Sequence, residues 1–283
     1  MLITVYVPTK NRKELLAQAV ESVLSQTHRD LELIVVDDGS SDGTHEYLIE
    51  RSRGDERMRF FRNEQSLGGP SARNTAITAA KGEFITGLDD DDSFHPDRLA
   101  TFLSSWRQLE ARGESPSCLY SQVVELHNGR AVGTTSKPRH AHYEDMFSAN
   151  VVGNQIFAPK QHYVEAGLFR ADLPAWQDLE FFMRVLKKFG PGVLVDHANY
   201  NFDNTPRVDR VSLKSEEKMR KAFSIVDEAH SEGIGRRTQK LYVQLFARLY
   251  GIRPGWPDYR RFVALGWWPA GLGQIVKASL RPR

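Results

Sequence analysis

GEFITGLDDDDSFHPDRL, residues 82–99, sets a short stretch rich in apolar, β-branched and aromatic residues directly against four consecutive carboxylates. The apolar part has the length and composition of a buried strand. Four like charges at the end of a core element repel one another, so the run needs something to hold. A hard divalent cation such as Mn²⁺ or Mg²⁺ takes oxygen ligands and keeps positions open for waters and phosphate oxygens. The same run also reads as a solvated turn at the start of the helix that follows Pro96. What lies around it favours the ligand.

Outward from the run, LITVYV (residues 2–7), LELIVV (31–36), MRFF (58–61) and EFITGL (83–88) predict four strands. KELLAQAVESVLSQ, THEYLIERS and PSARNTAITAA, with apolar residues three and four apart, predict helices between them. This βαβα order predicts an α/β fold, a largely parallel sheet flanked by helices, whose ligands gather at the carboxyl ends of the strands. PTKNR, DDGSSDG, NEQSLGGPSARN and DDDD follow the four strands in turn, where such ligands bind. Asp37 and Asp38 read either as a tight turn or as acceptors for a base N–H or a ribose hydroxyl. Gly68 and Gly69 supply permissive backbone ahead of a helix whose first turns carry Arg73 and Asn74. Neither GxGxxG nor GxxxxGK[ST] occurs, so dehydrogenase and P-loop chemistry lose their main support.

Further along, PDRLATFLSSWRQLEAR predicts a helix with proline in its first turn. CLYSQVVELHNGRAVG predicts a hairpin about Asn128 and Gly129, and WQDLEFFMRVLKKFG a helix stopped by Gly190. Two amphipathic helices are expected over about 213–230 and 236–250. With 283 residues, 40% of them hydrophobic, the chain can bury a full core. Cys118 is the only cysteine, which excludes an intramolecular disulfide and fits a reducing compartment. The opening residues read as a first strand rather than a signal peptide, and no apolar run reaches the roughly twenty residues that span a bilayer. The net charge of +2 hides an asymmetry. From Arg236 onward ten Lys or Arg face one acid, Asp258, a balance of +9 against −7 for the remainder. Trp256, Trp267 and Trp268 share that tail, a combination suited to a headgroup region.

VYVPTKNR, SVLSQTHRDLELIVVDDGSSDGT, GGPSARNTAI and GEFITGLDDDDSFHPDRL, in this order, resemble the inverting family 2 glycosyltransferases with the GT-A fold. The resemblance covers roughly residues 1–215. It implies a GT-A catalytic domain over 1–205, with a nucleotide-binding half to about 95 and an acceptor-side half beyond, followed by a helical, basic extension over 206–283. It implies that Pro8, Thr9, Asn11, Arg12, Asp38, Gly68 and Arg73 enclose the nucleotide, with Asp38 on the base. In the family's LDxDD pattern, Asp89 and Asp91 would be the DxD carboxylates on Mn²⁺ or Mg²⁺ and Asp90 would lie near the ribose. Asp92 would be a supporting acid or a helix cap.

The family's EDxDLWLRL helix is matched by QDLEFFMRV, which places the catalytic base at Asp178, with Glu180 and Arg184 at the other matching positions. Gln177 departs from the motif's glutamate. Stabilisation of the helix N-terminus alone is the other role open to Asp178. Trp176 and Gln177 are expected near the diphosphate or acceptor. Arg207 and Arg210 fall where the family has a segment over the diphosphate, with a solvated surface as their alternative. The resemblance implies transfer of one sugar, in an inverting displacement, from a nucleotide-diphosphate sugar, with UDP the expected nucleotide, to a hydroxyl of a glycan or glycolipid in lipopolysaccharide or surface-polysaccharide assembly. No QxxRW signature of processive synthases is present. A cytoplasmic enzyme peripheral to the inner face of the membrane is expected, with no nucleic-acid partner. A sugar-nucleotide pyrophosphorylase and an inactive nucleotide-sugar-binding protein stand as alternatives, although the pyrophosphorylases' glycine-rich N-terminal signature is missing.

Overall fold

Every residue of β2 (Leu31–Asp37) is buried, as are all but one of β1 (Ile3–Thr9). Strands covered on both faces are what parallel α/β sheets require. With β3 (Met58–Arg62) and β4 (Phe84–Gly87) they form the parallel block β3-β2-β1-β4. The intervening helices are α1 (Lys13–Leu24), α2 (Thr44–Gly54) and α3 (Gly69–Ala79). Leu16, Ala19, Val20, Val23 and Leu24 form the buried stripe of α1, at helical spacing. The four polar loops therefore leave the same edge of the sheet.

The computed structural model describes residues 1–206, 215–231 and 235–281. The chain forms two compact units: Met1–His142, Val152–Ala171 and Phe181–Thr205 in the first, and Tyr143–Val151, Asp172–Glu180 and Pro206–Arg283 in the second. The second unit thus takes in two segments that precede residue 205.

In the first unit, β5 (Ser93–Phe94) follows the acid run and leads to α4 (Arg98–Ala111). Pro96 stands ahead of this helix rather than in its first turn, and its carbonyl accepts from the Thr27 amide (2.8 Å). β6 (Leu119–His127) and β7 (Arg130–Thr134) make the expected hairpin, with Asn128 and Gly129 at φ of 50° and 72°. Then come β8 (His140–Ala141), β9 (Phe157–Pro159), α5 (Lys160–Glu165), α6 (Gln177–Phe189) and β10 (Gly192–Asp203). Gly190 ends α6 with φ of 92°, as its sequence predicts.

The whole sheet runs β3-β2-β1-β4-β9-β6-β10-β5, with β7 beside β6 and β8 beside β10. β6 and β10 are parallel, whereas β9 is antiparallel to both β4 and β6. Three residues, Phe-Ala-Pro, are too few to show a period, so β9 is absent from the pattern reading. Packing selects it: the Phe157 ring stacks on Phe84 (4.8 Å) and Phe102 (5.2 Å).

The second unit contains α7 (Glu216–His230), α8 (Gly235–Gln244), α9 (Trp256–Ala264) and α10 (Pro269–Ser279). The sequence predicts two helices here, the second reaching Tyr250. Instead α8 stops at Gln244, a separate 3₁₀ turn spans Arg248–Tyr250, and Pro257 and Pro269 open two further helices. Phe223, Tyr242, Phe246, Phe262 and Ile275 are buried between these helices. Asp258 is buried as well, accepting from Gly255 N (2.8 Å), Tyr242 Oη (2.5 Å) and Arg220 Nη1 (2.8 Å).

Candidate active site

The carboxyl edge of the parallel block brings all four polar loops together through side chains. Asp90 turns inward after β4, accepting from Thr9 Oγ1 (2.8 Å) and Arg12 Nη1 (2.9 Å), both from the loop after β1. Asn11, at φ of 54°, crosses to the loop after β2: its amide donates to Ser40 Oγ and its Oδ1 accepts from Ser41 N, each at 2.8 Å. Pro8 lies within β1 itself. From α3, Arg73 Nη2 reaches Asp89 Oδ1 (3.0 Å), with its guanidinium 5.5 Å from the Phe169 ring centre. Asn74, beside it, holds both the amide and the carbonyl of Phe169 (2.9 and 2.7 Å).

Asp38 occupies a place that differs from the expected one. Its carboxylate accepts from Asn63 Nδ2, Ser66 Oγ, Leu67 N and Gly68 N at 2.6–2.8 Å. Four donors from the chain itself take up its acceptor sites. Asp38 therefore orders the loop that leads into α3 and presents Gly68 and Arg73. Burial works to raise its pKa, but the four hydrogen bonds together outweigh burial and leave it below the ordinary value. The stability it contributes is thus present above the unfolded carboxylate range and lost as pH falls below about 4. Asp38→Ala orphans two backbone amides, so it should cost roughly 2 kcal/mol or more, and it should weaken nucleotide binding through the loop. Thermal melts at pH 7 and pH 3.5 check this: the deficit should be large at the first and shrink at the second.

The four aspartates alternate. The side chains of Asp89 and Asp91 keep 23% and 16% exposure, against 8% for Asp90, and Asp92 is buried. Asp92 accepts from Tyr200 Oη (2.6 Å) and the Asp203 amide (3.0 Å) rather than capping α4. Burial pushes Asp90 up to about 6 against the pull of Arg12 and Thr9, with the Asp91 charge adding to burial. Burial and the charges of Asp89 and Asp91 raise Asp92 well above the usual range. Among the described residues no three His, Cys, Asp or Glu form a ready-made metal cluster. Mg²⁺ and Mn²⁺ are nevertheless commonly held by one or two carboxylates plus substrate phosphates, and the outward pair Asp89 and Asp91 fits that donor set.

Asp178 lies in the second unit, partly exposed in the first turn of α6, near the positive end of the helix dipole. Gln177 Nε2 donates back to Leu173 O (3.1 Å). Trp176, at φ of 57°, is buried and donates from Nε1 to Tyr250 Oη (3.0 Å). Glu180 is 1% exposed, with His230 Nε2 3.5 Å away. Arg184, in the first unit, donates to the carbonyls of Ala166 and Leu168. Arg207 and Arg210 lie outside the described residues. The residues that sequence reasoning misses are Gln155, whose Nε2 donates to Asp89 (3.2 Å), Tyr200 and Phe169. None stands in a motif, and each reaches the site from more than sixty positions away in the chain.

Comparison with known proteins follows the same residues. The model of glycosyl transferase family 2 matches residues 4–156. WcaA of Escherichia coli K12, named for colanic acid biosynthesis, is 33% identical over 198 residues, 70% of each chain. WfgD of Escherichia coli, a UDP-Glc:α-D-GlcNAc-diphosphoundecaprenol β-1,3-glucosyltransferase, is 31% identical over 54% of this chain and 57% of its own. S. aureus TarS 1–349, solved in complex with UDP-GlcNAc, superimposes with a TM-score of 0.67 at 18% identity, covering 99% of this chain and 82% of that one. The parallel block with its acid-ended fourth strand and the match over more than half the chain lead to one conclusion: this protein belongs to glycosyl transferase family 2 and has the GT-A fold.

Proposed function

We propose that the chain transfers one sugar, with inversion, from a UDP-sugar to a hydroxyl of a lipid-linked glycan in the assembly of a surface polysaccharide. The observation that carries this is the convergence of Thr9, Arg12, Arg73 and the Asp89–Asp92 run on one edge of the sheet. Support comes from relatives named for UDP-Glc and undecaprenol-linked acceptors and from a neighbour solved with UDP-GlcNAc. Arg12 and Arg73 orient the carboxylates, and the loop clasped by Asp38 encloses the nucleotide. Asp178 takes the proton of the attacking hydroxyl, a contribution of typically ~10²–10⁴-fold. When bound at Asp89 and Asp91, Mn²⁺ or Mg²⁺ supplies positive charge for the departing diphosphate. Incubation with a panel of UDP-, GDP- and dTDP-sugars and glycolipid extracts, reading nucleoside diphosphate release, tests the proposal. Release that requires acceptor supports it. A requirement for pyrophosphate points to a pyrophosphorylase, and binding without turnover to an inactive binder.

The acceptor's lipid gives the tail a role, which we place at an anionic membrane surface, on the cytoplasmic side. No helix among the described residues is long and apolar enough to cross a membrane. The only acid after Arg236, Asp258, is buried against Arg220 and Tyr242, and one of the tail's cations, Arg237, pairs with Glu144. Trp256, Trp267 and Leu280, in the same stretch of chain, are 75%, 73% and 77% exposed. Each nearby cation contributes on the order of 1 kcal/mol at an anionic leaflet, fading as salt screens it. Removing α9 and α10 would strip Phe262 and Ile275 from the core, so the informative variant is W256S/W267S/L280S. The native chain should sediment with anionic vesicles at low salt and release at high salt, and the variant should not sediment. Equal pelleting with neutral vesicles, or none with either, would instead assign this face to contact between copies of the chain.

A further inference from the structure

Two cations line one small cavity in the first unit, and no carboxylate lines it with them. Arg98, the first residue of α4, is 1% exposed. Its Nη1 donates to Ser121 Oγ (2.8 Å) and Asn199 Oδ1 (2.6 Å), both neutral, and its Nε is buried without a partner. The rings of Phe94, Phe102 and Tyr200 surround the guanidinium at 4.4–5.0 Å. Lys137 Nζ donates to the Val152 carbonyl (2.8 Å), and Gly153 beside it, at φ of 102°, leaves room that a Cβ would close onto Nζ. Burial, with the charge of Arg98 adding to it, pushes the Lys137 ammonium down to about 7. The cavity holds about one water-sized group, at roughly 10 Å³.

Two walls of this cavity are shared with the acid run. Gln155 lines it and donates to Asp89 (3.2 Å), and Tyr200 lines it and donates to Asp92 (2.6 Å). These two side chains carry the contacts to the aspartates, so the acids supply no direct counter-charge to Arg98 or Lys137. Cations taken from water without a counter-charge are costly, and an anion that bonds to both relieves the cost. A neutral hydroxyl would satisfy a donor but leave both charges uncompensated. The space admits a single oxygen, which a carboxylate on a sugar can present while its carbon stays outside.

We propose that this cavity receives an oxygen of a carboxylate carried by the sugar substrate, so that the enzyme handles a uronic-type sugar. The proposal rests on the glycosyl-transfer reading above, and the carboxylate belongs either to the donor sugar or to the acceptor glycan. Calorimetry with Mn²⁺ separates these sources by comparing UDP-glucuronate with UDP-glucose, and methyl glucuronide with methyl glucoside, the latter pair with and without UDP. In one of these arms the acidic ligand should bind at least about tenfold tighter than its neutral counterpart. Lys137→Met, which keeps the unbranched stem, and Lys137→Gln, which keeps a polar end, should both bring that ratio close to one. Equal binding in every arm, or a ratio unchanged in both variants, overturns the proposal. UDP alone is the separate control: its failure to bind removes the nucleotide reading, while the methyl glycosides without UDP still judge the cavity.

Discussion

Asp178→Asn is expected to lower turnover at least about a hundredfold while leaving donor affinity nearly intact. Asparagine keeps the size and hydrogen-bonding shape of the side chain at the start of α6 but has no lone pair basic enough to take a proton. Loss confined to the chemical step separates a base from a helix-stabilising acid, because a structural defect would lower binding and stability together. The control is built into the same helix turn. Asp178→Ser keeps a good N-terminal helix residue and should be as inactive as the asparagine variant, with a melting temperature close to the parent's. Near-normal turnover in Asp178→Asn would reject the assignment. Glu180 would not then inherit the role, because it is 1% exposed and lies against His230, where no acceptor hydroxyl reaches it.

Asp91→Ala is expected to abolish most activity and to remove the Mn²⁺ dependence of nucleoside diphosphate binding. Asp90 and Asp92 are turned inward to Thr9, Arg12, Tyr200 and Asp203, so neither is an available substitute ligand. Losing the outward partner of Asp89 leaves one carboxylate where a hard cation takes one or two, and the affinity for Mn²⁺ with UDP should fall by at least about tenfold. Titrating UDP with Mn²⁺ and then with a chelator gives the parent's metal increment, and the variant should show none. Unchanged affinity and unchanged metal response in Asp91→Ala would refute the metal assignment while leaving Arg73 and the loop held by Asp38 as a nucleotide site.

The parallel block is legible because β1, β2 and β4 are buried along nearly their whole length and each connection carries a helical period. The same local grammar puts the acid run at the ligand edge. β9 escaped because its three residues are chosen by Phe157 stacking on Phe84 and Phe102, a contact without any trace in local pattern. The helices after Ala247 escaped because proline-opened segments of nine and eleven residues interrupt the apolar period. In the site, Thr9, Arg12, Arg73 and the aspartates follow from motifs, as does the pairing of Asp89 with Asp91, but the partners that turn Asp90 and Asp92 inward do not. Which of four adjacent carboxylates turns inward depends on Tyr200 and Asp203 on β10, over a hundred positions away. Asp38 shows the same limit: a strand-end acid looks like a ligand acceptor until the donors of its own loop are placed.

The insertion of β9 between β4 and β6 also orders the events of synthesis. When the chain has emerged as far as the acid run, β4 is the last strand of a four-stranded parallel block, and its outer row of amides and carbonyls is unpaired. Its partner there, Phe157–Pro159, arrives only some seventy residues later. Until then the nascent chain carries a raw sheet edge backed by an apolar face, the kind of surface that recruits a second strand from another molecule. Pro159 pairs with Phe84 at the end of β9, and the last bond of that seam, from Lys160 N to Glu83 O (2.9 Å), lies just beyond it. The strand that the sequence pattern hid is thus the one that covers the β4 edge of the nucleotide half.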